Sequence, residues 1–181
     1  MKGIFIKRSA ALLVASLALN ACSSASHREY QTPDSLCGVK VPKDLMEAVL
    51  PSGKKVSQTP KDGTGSRSCY LDVDEEGALV ATVEWVKDGT SLEDFSRIAY
   101  GIDSGDKTTA DRRYLYSPTG AAGFVKCPAP GRKYVERDVN GDLLAWIRTG
   151  GEPVKESDMK SLIVAYTEAL ADSTACKGDI W

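Results

Sequence analysis

One histidine, His27, serves a chain of 181 residues. Nucleophilic hydrolysis by a serine or cysteine needs a base held within hydrogen-bond reach, and His27 stands in a polar, aperiodic stretch that reads as a linker. A serine–lysine pair is the formal substitute, and Ser157 and Lys160 have that spacing. Ser157, however, stands where a helix opens, and helix capping accounts for a serine there. No glycine-rich loop ends in Gly-Lys-Ser/Thr, so a phosphate cradle is missing. Basic residues number 23 against 25 acidic ones, which leaves no electrostatic footprint for nucleic acid. The cysteines contain no Cys-x-x-Cys clip of the kind that holds zinc, and nothing calls for a cofactor. The longest apolar run, residues 10–19, is interrupted by Ser16 and falls short of the roughly 20 residues a spanning helix needs.

That run does fit the hydrophobic region of an export signal, preceded by Lys2, Lys7 and Arg8. The cut is set by Leu19-Asn20-Ala21-Cys22. Ala21 suits ordinary signal peptidase, but Leu19 does not, and a bulky aliphatic residue three positions before a cysteine resembles the lipobox of bacterial lipoproteins. The resemblance implies a signal peptide over residues 1–21, removal of that segment, and a diacylglyceryl thioether on Cys22. Simple secretion with cutting after Ala25 is the alternative. Two acyl chains satisfy the two-signal requirement for stable anchoring. The expected location is the extracytoplasmic face of the cell membrane, with the bilayer as the first partner. Loss of the leader removes three basic residues and leaves 20 against 25.

Parity agrees. Five cysteines leave one unpaired in an oxidising compartment; with Cys22 acylated, Cys37, Cys69, Cys127 and Cys176 form an even set. Four cysteines allow three pairings. The expected one is Cys37 with Cys69 and Cys127 with Cys176, the first tying the domain entrance to a hairpin, the second tying a strand end to the residues after the last helix.

Residues 22–35 read as a flexible tether and residues 36–181 as one domain, a size suited to a single core. Pro42 starts a short helix over 42–50 with Leu45, Met46, Val49 and Leu50 at helical spacing. Residues 67–73 and 78–86 form a hairpin around Asp74-Glu75-Glu76-Gly77, with Leu79, Ala81, Val83 and Trp85 on one face. Ser91 and Asp94 make a capping box before a helix that ends at Gly101. Strands follow at 113–116 and 122–127, then a hairpin over 132–139 and 142–149 about Asn140-Gly141. A long helix over 157–172 buries Met159, Leu162, Ile163, Tyr166, Ala169 and Leu170. A shift of 64 residues lays Tyr70 on Tyr134, Gly77 on Gly141, Leu79 on Leu143 and Ala81 on Ala145, so each half reads as a hairpin followed by a helix. The expected class is α+β: a mainly antiparallel sheet built from two hairpin–helix units, helices packed on it, and two disulfides.

Asp72, Asp74 and Glu76 begin like a calcium loop, but Val83 stands where the bidentate glutamate belongs. With Glu75 they read as a solvated acidic turn, and Asp138, Asn140 and Asp142 read likewise. Trp146 points away from the face of Leu143, Ala145 and Ile147, either beneath a helix or lining a groove. Arg112, Arg113, Tyr114 and Trp181 are weaker hints of the same kind. The layout of lipobox, polar tether and four-cysteine domain resembles small cell-envelope lipoproteins of actinobacteria and the two-disulfide extracellular sensor domains of that group. The resemblance implies a non-catalytic module that binds a small ligand or another envelope protein. The rival is an envelope hydrolase using carboxylates or the Ser157–Lys160 pair.

Overall fold

The structure, a computed structural model, describes residues 27–96, 102, 107–128, 133–134 and 139–177. Cys22, the leader, Gly101, Asp138 and Trp181 lie outside the described residues.

The elements run β1 (Ser35–Leu36), β2 (Val39–Lys40), α1 (Lys43–Val49), β3 (Val56–Gly63), β4 (Ser66–Val73), β5 (Glu76–Lys87), α2 (Leu92–Ser96), β6 (Lys107–Thr108), β7 (Tyr114–Tyr116), β8 (Gly120–Phe124), β9 (Lys133–Tyr134), β10 (Val139–Thr149), α3 (Glu156–Ala171) and α4 (Thr174–Lys177). Strands β3-β4-β5-β10-β8-β7-β6 form one antiparallel sheet in that order. β9 pairs with the start of β10, and β1 and β2 make a separate ribbon. The class is α+β, as the alternation of patterns implies.

The sheet is built about its two longest strands. β5 and β10 pair from Gly141 opposite Lys87 to Thr149 opposite Leu79. Period-two alternation then sorts their side chains. Leu79, Ala81, Val83, Trp85, Leu143, Ala145 and Ile147 enter one core with Met159, Leu162, Ile163, Tyr166 and Leu170 of α3. Helix α2 packs on the opposite face. Its Leu92 and Phe95 join Ile102, Leu115, Ala122 and Leu144 in a second, smaller cluster. Ser91 caps the helix as expected, its hydroxyl accepting the Asp94 N–H at 3.0 Å and donating to the Asp94 carboxylate at 2.8 Å.

The disulfides join Cys37 to Cys69 and Cys127 to Cys176. Gln58 supports the first bridge from the edge strand β3. Its amide oxygen accepts the Cys37 N–H at 2.6 Å and its amide nitrogen donates to the Ser35 carbonyl at 2.8 Å. One side chain thus stands in for a rung of backbone ladder between β3 and the β1–β2 ribbon.

Several expectations are corrected. Asn140 and Gly141 are not a turn: Asn140 pairs with Lys133 and Gly141 with Lys87. Pairing along the whole length of β5 outweighs the local turn preference, and the β9–β10 connection falls at 135–138, outside the described residues. β3, eight residues reading Val-Ser-Gln-Thr-Pro-Lys-Asp-Gly, had no expected counterpart. α3 begins at Glu156 with Lys155 in the N-cap position and no capping side chain, so Ser157 lies inside the first turn rather than capping it. Residues from Arg28 onward, expected to belong to a flexible tether, are fastened to the domain. The Glu29 N–H donates to the Gly53 carbonyl at 2.8 Å, and the Val41 N–H to the Asp34 carbonyl at 2.9 Å. Arg28 donates to the carbonyls of Glu47 and Leu50 and lies 5.4 Å from the Tyr30 ring centre, while the Tyr30 hydroxyl donates to the Pro51 carbonyl. An arginine over the C-terminal carbonyls of α1 satisfies acceptors a short helix leaves open and opposes its dipole.

Candidate functional site

Three separate stretches meet at one end of the sheet: the end of α1 with Pro51 and Ser52, the β4–β5 turn, and the exit of β10 through Gly150 to Val154. Backbone bonds assemble them. The Gly150 N–H donates to the Ala78 carbonyl at 2.9 Å, and the Val154 N–H to the Pro118 carbonyl at 2.9 Å. A methyl group at Gly150 would overlap the Gly77 carbonyl oxygen, so the two strand ends touch backbone to backbone. In the β4–β5 turn, Asp74 and Glu75 have φ of 53° and 71°, the left-handed pair that a tight two-residue hairpin demands. The Asp74 carboxylate accepts the Lys54 N–H at 3.0 Å and the Lys55 N–H at 2.8 Å, locking the approach to β3 against the turn.

The result is a cleft of about 680 Å³, open on one side. Its walls include Val49, Leu50, Val73 and Val154, and its mouth carries the carboxylates of Asp74, Glu76 and Glu152. Asp74 is held by backbone amides; Glu76 and Glu152 have no ion-pair or hydrogen-bond partner among the described residues. The size lies within the range typical of small-ligand sites. Of the acidic run Asp72, Asp74, Glu75 and Glu76 expected as a solvated turn, Asp74 and Glu76 therefore border the cleft. Among the described residues no group of three histidine, cysteine, aspartate or glutamate side chains is arranged to hold a metal ion.

A second, smaller cavity of about 160 Å³ lies beside the first disulfide, between Gly38, Arg67, Tyr166 and Ser173. Burial raises the Tyr166 hydroxyl pKa far above its ordinary range, against a small opposing pull from the Arg67 guanidinium. Arg67 itself binds Asp62 at 2.7 Å and holds that carboxyl below its usual value.

No family model matches the chain, and comparison with curated proteins and with solved structures finds no match.

The other expected site residues are accounted for individually. Trp146 does face away from the main core, but it packs half-buried on the α2 side of the sheet and its indole N–H donates to Glu84 at 2.7 Å. It packs against the second cluster as a partly buried side chain. Tyr70 is exposed, and Val86 and Phe124 are, like Trp146, partly buried against the second cluster. The Ser157 hydroxyl donates to Asp158 at 3.3 Å, while Lys160 lies 5.2 Å from the Tyr116 ring centre; serine and lysine are not joined. Arg113 sits 5.0 Å from the Tyr114 ring centre and donates to the Phe124 carbonyl at 3.2 Å, which makes it part of the β7–β8 framework. Sequence reasoning missed the cleft itself. Its signals were Pro51, Gly53, Gly77, Gly150, Gly151 and Pro153, each of which reads locally as the end of an element.

Proposed function

We propose that the chain is a membrane-anchored extracytoplasmic lipoprotein acting as a non-catalytic binding or accessory module of the cell envelope, with its ligand in the cleft at the sheet end. The lipobox and the even set of remaining cysteines support the anchoring half. The reading places attachment on acylated Cys22; among the described residues no helix is long and apolar enough to cross a membrane. One observation carries the binding half: a concave site of ligand size with apolar walls and a fixed backbone frame. A hydrolase reading needs two ionisable groups within reach of one point. Asp74 is committed to the amides of Lys54 and Lys55 and Ser157 points to Asp158, which leaves that reading Glu76 and Glu152 as its remaining candidates. The finer architectural reading, two hairpin–helix units, is supported by the order β4-β5-α2 and β9-β10-α3. Because α2 and α3 occupy opposite faces, no single two-fold axis relates the units; antiparallel neighbours exchange only about an axis normal to the sheet, which keeps both helices on one side.

Amide NMR of the purified protein titrated with a small-molecule fragment set tests the binding half. Shifts confined to Ala78, Gly150 and Val154 are expected. Shifts centred on Trp146, or none with any fragment, would overturn the assignment, as would turnover of ester, peptide or glycoside substrates.

A further inference from the structure

We infer that the cleft takes a cationic amphiphile: an apolar chain ending in an ammonium group, met at the membrane surface. The inference rests on the binding-module reading and names its ligand class. Charge complementarity is the first support. Asp74, Glu76 and Glu152 line the mouth, and no lysine, arginine or histidine is among the lining residues. The Arg28 guanidinium is engaged by the carbonyls of Glu47 and Leu50 and by the Tyr30 ring. An anion entering here meets like charge with no cation among the lining residues, whereas an ammonium group meets the carboxylates of Glu76 and Glu152, which have no ion-pair partner among the described residues. The walls supply the second support. Val154 is half-buried at the cleft wall, backed by the core residues Val49, Leu50 and Val73, so an alkyl chain in this volume of about 680 Å³ meets an apolar lining.

Placement supplies the third. The chain is clasped at Arg28 and Tyr30 against Leu50 and Pro51, residues that also border the cleft. Cys22 precedes Arg28 by six residues, and six residues reach at most roughly 20 Å when fully extended. A lipid on Cys22 therefore holds the cleft close to the bilayer surface, where amphiphiles concentrate.

The test uses the native full-length protein in neutral phosphatidylcholine vesicles with three photoreactive decyl probes of identical chain: a decylammonium, a decanol and a decanoate. Mass spectrometry of the labelled peptides gives position, and intact mass reports acylation of Cys22 separately. The ammonium probe should label residues 48–54 or 149–154 at least fivefold more than the carboxylate. E76Q/E152Q should lower ammonium labelling at least fivefold while leaving decanol labelling unchanged, and its urea midpoint confirms that the variant is folded. Equal labelling by cation and anion, indifference to the double substitution, or labelling mapped to the Trp146 cluster would each overturn the inference. An unacylated protein that still labels in the cleft would sink the anchor and spare the ligand; an acylated protein without the charge preference would do the reverse.

Discussion

Two glycines one position apart in the cleft wall face opposite constraints, and substitution separates them. A Cβ at Gly150 collides with the Gly77 backbone, whereas one at Gly151 meets nothing within 4 Å. Gly150→Ala should cost about 1–3 kcal/mol through overpacking that backbone cannot relieve. Gly151→Ala should be neutral or stabilise by up to about 1 kcal/mol through the unfolded chain. Urea denaturation of the two variants side by side checks the pair, and equal effects would mean the strand ends are not in contact. Gln58 offers a subtler case, since it both accepts from Cys37 and donates to Ser35. Gln58→Glu keeps the acceptor but sets a carboxylate oxygen against the Ser35 carbonyl, so a loss of about 1–3 kcal/mol is expected. Faster amide exchange at Cys37 would accompany loosening of the ribbon. Tyr166 adds a dependence on pH. Its hydroxyl pKa is raised by burial, so it stays protonated in the fold and ionises first in the unfolded chain. The stability it contributes is complete below the ordinary tyrosine range and is lost as pH climbs above it. The wild-type urea midpoint should fall between pH 9 and pH 11, and Tyr166→Phe should flatten that fall. Tyr30, raised chiefly by its own burial, accounts for a lesser share.

Elements were readable in the sequence in proportion to how much of their stability is local or periodic. Leu79, Ala81, Val83 and Trp85 alternate, and β5 formed as expected; Met159, Leu162, Ile163, Tyr166 and Leu170 repeat at helical spacing, and α3 formed around them. β3 has almost no pattern. Only Val56 and Gln58 are even partly buried along it, and it exists because β4 offers eight partners in register. Pro60, Lys61 and Asp62 along this outer strand also guard it against pairing with another chain. Asn140 and Gly141 misled for the converse reason, a strong local turn signal overruled by a long partner strand. The cleft was unreadable because its parts are loop ends brought together by β5–β10 pairing. The disulfides close loops of 32 and 49 residues, each contributing about 3–4 kcal/mol in the chain-entropy account. C127A/C176A should lose about that much, with hydrogen exchange rising first in α4 and the last turn of α3. Unchanged protection there would show that core contacts alone hold the end of the chain.

At the scale of the molecule, one side of the sheet is sealed by α3 and the other is partly covered by α2, leaving an end rather than a face as the concave surface. The proposed anchor makes a measurable claim. Cells fed an alkyne fatty acid should label the wild-type chain and not Cys22→Ser, and only the former should enter the detergent phase on partition. Equal behaviour of the two would remove the lipid. If the anchor stands, the fastening of residues 28–34 has a mechanical consequence. Tension between bilayer and wall would arrive through Arg28 and strip the Glu29–Gly53 and Tyr30–Pro51 bonds in succession, a peel rather than a shear. The peel would stop at Cys37, where a covalent bridge to Cys69 passes the load into the central strands. On that reading the segment ahead of the bridge would extend by a few residues under load without disturbing the body behind it.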